Sequence, residues 1–161
     1  MYRCNSRPAM QCPAQAGFTL VEIVITMGIM AILATVAVSA YKNYKTRAKI
    51  TEGLVVAAAF KAAVTEHYLM TGEWETDPSV LALDAPDTYS GDWLKSISLG
   101  AGSDGAPVAI TISYNESALH ELGANNTIVL YPVMASENIS WHCDGGTVDD
   151  KFRPAQCKAT P

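Results

Sequence analysis

The sequence predicts an α+β domain: one long N-terminal helix, its apolar half projecting free, with its second half packed against a small antiparallel β-sheet. Two observations predict it. Residues Phe18 to Ala40 form a 23-residue apolar run whose one charged side chain is Glu22. Further on, three short β-rich stretches, two of them alternating apolar and polar residues, lie between turn-forming segments. The 161 residues suffice for one such domain.

The run explains an unusual composition. The chain is 49% apolar but only 17% charged, where soluble domains carry about 25% charged residues. That excludes a disordered acidic tail, a coiled coil and a nucleic-acid-packaging protein. The net charge is −5. Without residues 1–17, which hold Arg3 and Arg7, nine basic side chains face sixteen acidic ones, a net −7. Such a body disfavours nucleic acid as a direct partner.

As a helix, the run is roughly 35 Å long at 1.5 Å per residue, enough to cross a bilayer core. Three readings stand open on the run alone. It is a plain transmembrane anchor, or a secretory signal peptide cut after Val38-Ser39-Ala40, or a segment in which Glu22 has a task. The run exceeds the usual apolar length of a signal peptide. A carboxylate in hydrocarbon is costly unless paired or neutralised, which makes Glu22 a functional candidate. Lys42, Lys45, Arg47 and Lys49 follow the run while only Arg3 and Arg7 precede it, so the positive-inside rule opposes export of the C-terminal body.

The helix is expected to continue to about Met70, with no proline before Pro78 and with Thr71-Gly72 closing it. Leu54, Val55, Ala58, Ala62 and Tyr68 are expected on its packed side. Lys42, Lys45 and Lys49 share a face at i, i+3 and i+7, either solvated or paired with acidic patches of another copy. Residues 73–107, punctuated by Pro78, Pro86, Pro107, Gly91, Gly100, Gly102 and Gly105, read as a surface connection anchored by Trp74 and Trp93. Strands are expected over Val108–Tyr114, Thr127–Tyr131 and Ile139–Cys143. Asn115, Gly123, Asn125, Asn126, Ser136 and Asn138 supply the turns of an antiparallel meander.

Cys143 and Cys157 lie in a Gly/Asp/Pro-rich segment with few apolar residues to hold it. A disulfide would close that segment and contribute about 3 kcal/mol, and it would imply an oxidising compartment. Two free thiols are the alternative. No metal site is expected, because no CxxC is present and His142 beside Cys143 lacks further ligands. His67, His120 and His142 are scattered, and no triad, phosphate loop or EF-hand stands out. No catalytic residue and no cofactor are expected. Asn115, Asn125 and Asn138 head glycosylation sequons, which are a weak signal.

The segment Gly17-Phe18-Thr19-Leu20-Val21-Glu22 at the head of an apolar helix resembles the processing site of type IV prepilins. Tyr41 to Leu54 is similar to the helix that follows in type IVa major pilins. The pattern Cys143…Arg153-Pro154-Ala155-Gln156-Cys157 resembles their disulfide-bounded C-terminal loop, and residues 71–135 carry no motif of the family. The resemblance implies a pilin fold of three parts: a leader at 1–17, a transmembrane and filament-core half-helix at 18–40, and a globular head at 41–161. It implies that a prepilin peptidase cuts between Gly17 and Phe18 and methylates the Phe18 amine, and that leader cysteines Cys4 and Cys12 are discarded. Met1 is kept as the start, because a leader from Met10 would hold no Lys or Arg.

Partners implied by the resemblance are the peptidase, the inner-membrane assembly machinery, the membrane before assembly, and identical subunits in a helical filament. The precursor then sits in the inner membrane and the product is an extracellular pilus (fimbrium) of a bacterium. Adhesion, twitching motility and, in some members, DNA uptake follow as roles. Glycine at position 17 gives a peptidase close access. Glu22 of one subunit would neutralise the new Phe18 amine of another and fix axial register; contact with water or headgroups is the alternative. Ala31 and Ser39 stand where major pilins often have a glycine and a proline. Two other identities are weighed: a minor pilin or type II secretion pseudopilin, and a periplasmic binding module cut after Ala40.

Overall fold

The computed structural model describes residues 17–103, 105–135 and 138–158. Arg3, Arg7, Cys4, Cys12, both candidate start methionines and Ser136 lie outside the described residues. Two compact units meet in the chain at Val38 and Ser39. Helix α1 spans Leu20–Val56 and helix α2 spans Ala58–Thr71. Ala57 between them keeps right-handed helical dihedrals, donates to the Gly53 carbonyl and accepts from the Lys61 amide. The expected single helix is thus realised with one local irregularity. It ends where Thr71-Gly72 predicts: Gly72 adopts φ +78° and its amide caps the Tyr68 carbonyl.

In the first unit the described residues are exposed throughout. Thr26 and Thr35 are the polar interruptions of this apolar stretch after Glu22. Each hydroxyl donates to a carbonyl one turn back, Ile23 and Ile32, so neither needs water. The helix runs through Ala31 without a break, and through Ser39 at the start of the second unit.

In the second unit α1 and α2 bury Thr46, Ile50, Gly53, Leu54, Ala57, Phe60 and Val64, at spacings of three and four. The packed side therefore lies one face away from the expected one. Val55, Ala58 and Ala62 are exposed and only Leu54 of the expected set is fully covered. The small residues misled the reading: alanines mark a helix face as apolar but do not say which apolar face the sheet takes.

The sheet is a four-stranded antiparallel meander, β1 Leu94–Gly100, β2 Ala109–Tyr114, β3 Thr127–Ala135 and β4 Asn138–Gly146, in that spatial order. Its inner face joins Ile97, Ile110, Ile112, Tyr114, Ile128 and Leu130 to the helix residues, with Leu119, Leu122, Val148 and Phe152 closing the ends. Strand β1 falls inside the expected surface connection. Leu94 pairs with Tyr114 and Ser96 with Ser113, so β1 carries one extra residue there. This bulge sets the buried Leu94 and Ile97 three apart and erases the period-two signal. Strand β3 also outruns its expected end through Pro132. Beyond Leu130 it continues in register with β4, from Tyr131 opposite His142 to Ala135 opposite Asn138. Trp74 stacks on Tyr68 with ring centroids 4.1 Å apart, and Trp93 lies against the core beneath Lys49.

Candidate functional site

The first candidate is the head of α1. Gly17, Phe18 and Thr19 precede the helix in non-helical backbone. The Thr19 hydroxyl accepts the Glu22 backbone amide at 3.2 Å, and the Thr19 carbonyl accepts the Ile23 amide. Thr19 is therefore the N-cap, and Thr19-Leu20-Val21-Glu22 has the Thr-x-x-Glu form of a capping box. This role for Thr19 was missed in the sequence, although its spacing is a readable helix-start signal. Glu22 then occupies the first turn, where the helix dipole favours a negative charge. Its side chain is exposed and has no hydrogen-bond or ion-pair partner among the described residues. Phe18 is 79% exposed. A Cβ added to Gly17 would touch nothing within 4 Å among the described residues, so none of these demands glycine there.

The second candidate is the C-terminal loop. Cys143 and Cys157 form a disulfide that ties β4 to a 3-10 turn at Ala155–Cys157. Within that loop Arg153 is only 4% exposed. Its Nε donates to the Val148 carbonyl at 2.7 Å, Nη1 to the carbonyls of Cys143 and Gly145, and Nη2 to that of Gly146. Asp150 approaches Nε at 3.4 Å. One guanidinium thus gathers four carbonyls of a chain reversal. Gly146 holds φ +91°, and a Cβ there would collide with the Thr127 carbonyl oxygen, so only glycine turns the corner. The Asp149 carboxyl sits below the ordinary carboxylate range, first because the Lys151 amide donates to it.

The four cations after the apolar run separate. Arg47 donates to the Lys151 carbonyl. Lys49 pairs with Glu52 at 3.1 Å and lies over the Trp93 ring. Lys42 and Lys45 are exposed and have no partner among the described residues. Asn115 is equally committed: its amide donates to the carbonyls of Gly91 and Asp92 and fastens the start of β1. No cluster of three or more metal-binding side chains occurs among the described residues.

The comparisons with known proteins agree with this geometry. The family described as pilin, a bacterial filament protein, matches residues 46–158, which hold the helix–sheet unit and the disulfide loop. The chain belongs to the pilin family. The prokaryotic N-terminal methylation motif matches residues 12–38 of this pilin, across Gly17, Phe18 and Glu22. A fimbrial protein of Neisseria meningitidis serogroup B is 32% identical over 91% of this chain and 82% of its own length. Fimbrial protein EcpC of Eikenella corrodens is 31% identical over 91% and 94%. The type IV major pilin protein PilE1 of Neisseria gonorrhoeae is 29% identical over 89% and 94%. This pilin is a structural subunit of a pilus. Its family and motif imply processing by a prepilin peptidase and assembly into extracellular filaments.

Proposed function

We propose that this pilin is the major subunit of a type IV pilus and polymerises through residues 18–40, with Glu22 as the register-setting charge. Cleavage falls between Gly17 and Phe18, Phe18 is N-methylated, and the leader 1–17 is lost. One observation carries the register role. Glu22 is a carboxylate without a hydrogen-bond or ion-pair partner among the described residues, in the first turn of an exposed apolar helix, four residues from the new amine. Inside a bundle of such helices an unpaired carboxylate is penalised, and a neighbour's Phe18 ammonium relieves it. The precursor waits in the inner membrane, and the assembly machinery draws it into the filament. Adhesion and twitching motility are the proposed roles; DNA uptake would be indirect. Relatives named as major pilins support the major-subunit reading over a minor pilin or pseudopilin.

The test compares Glu22→Ala and Glu22→Gln. Both keep the backbone amide that Thr19 caps, and Gln keeps the polar side chain at that position. Both variants should be cleaved normally yet yield no sheared surface fibres. Normal fibres from either contradict the charge argument.

A further inference from the structure

Of the four cations that follow the apolar run, two are consumed within the molecule and two are not. Lys42 and Lys45 alternate with Tyr41 and Tyr44, which are 66% and 73% exposed. All four side chains lie on α1 directly after Ala40. Helical rise gives this arrangement a depth. The 21 residues from Leu20 to Ala40 rise roughly 31 Å, the thickness of a bilayer hydrocarbon core. The next five, Tyr41 to Lys45, rise roughly 7 Å, which matches one headgroup layer. Tyrosine at that level keeps its ring against acyl chains and its hydroxyl in water. Lysine there meets lipid phosphates, and its long stem lets the ammonium reach them.

We propose that Tyr41, Lys42, Tyr44 and Lys45 form a collar that binds anionic lipid headgroups on the side of the membrane where the globular unit stands. The inference rests on the reading that residues 18–40 span the bilayer before assembly. The charge balance supports it: the cluster is basic while the chain as a whole is acidic, so an anionic lipid surface attracts these residues and repels the rest. The collar also gives the cations that oppose the positive-inside rule a use on the exported side. Lipid phosphates hold the unassembled subunit at fixed depth, and entry into a filament strips those contacts away.

The test uses the full mature chain reconstituted in phosphatidylcholine vesicles with a trace of spin-labelled lipid. The label is carried on phosphatidylglycerol in one sample and on phosphatidylcholine in another. The ratio of motionally restricted lipid gives the headgroup preference directly. The wild type should prefer the anionic label by about fivefold or more at low salt. The preference should fall in 1 M salt, where the screening length is about 3 Å. It should drop toward unity in Lys42→Gln/Lys45→Gln and return in Lys42→Arg/Lys45→Arg, while Lys61→Gln leaves it unchanged. A double glutamine variant that keeps the full preference overturns the proposal, as does a wild type that restricts both labels equally. If that variant loses fibres but keeps its lipid preference, the lysines serve a neighbouring subunit and the lipid role is wrong. If neither label is restricted, the membrane-spanning reading itself fails.

Discussion

A methyl group on Gly53 would lie 2.6 Å from the hydroxyl oxygen of Tyr114, and 2.9 Å from the edge of its ring. The ring cannot swing away, because Tyr114 is fully buried and its hydroxyl donates to the Ile50 carbonyl at 3.0 Å. Glycine is a poor helix former, yet here it lets the central strand sit directly against the helix. The contact docks the head of this pilin on its helix.

Gly53→Ala should therefore destabilise the domain despite alanine's better helix propensity. Overpacking costs about 1–3 kcal/mol, and the propensity gain is at most about 1 kcal/mol. Denaturant melts should show a net loss of about 1–2 kcal/mol. A stabilised variant would mean that the ring gives way.

Burial pushes the Tyr114 hydroxyl well above its ordinary value of about 10. The folded state therefore holds this proton more tightly than the unfolded state. The resulting stability is fully present below about pH 10 and is lost progressively as the pH rises above it. Melts between pH 8 and 12 should show that fall, and Tyr114→Phe should flatten it. An equal slope in both proteins would assign alkaline unfolding to other groups.

Much of this was legible beforehand, and the failures have physical causes. The apolar run, Glu22, the helix stop at Gly72 and the alternation of β2 are local signals, and each stands in one short stretch of chain. Strand β1 was hidden because its bulge breaks the alternation. The packed helix face was misplaced because alanines do not say which apolar face the sheet takes; Gly53 belongs to the packed side through Tyr114, sixty-one positions later. Arg153 was visible only as part of a motif; its buried position depends on the carbonyls of Cys143, Gly145 and Gly146 converging in space.

Arg153 and the disulfide should contribute separately to the C-terminal loop. Cys157→Ser should cost about 3 kcal/mol through the freed loop. Arg153→Ala should cost about 2 kcal/mol or more, since it removes the donors to the carbonyls of the buried Cys143 and Val148, and the disulfide should still form. Thermal melts with and without reductant separate the two. A reductant-insensitive wild type would show that the bridge contributes nothing.

Gly17→Val should accumulate precursor in the membrane, seen as a heavier band. Among the described residues nothing crowds a side chain at position 17, so the defect would lie in access by the peptidase. Complete processing of that variant would remove the access argument.

Cleavage ahead of Phe18 is what we propose turns a membrane helix into a filament subunit. Mass spectrometry of the chain recovered from sheared surface fibres is the decisive test. It should find a polypeptide that begins at N-methylated Phe18 and has Cys143 joined to Cys157. A mature chain that retains residues 1–17, or that begins at Tyr41, would contradict it.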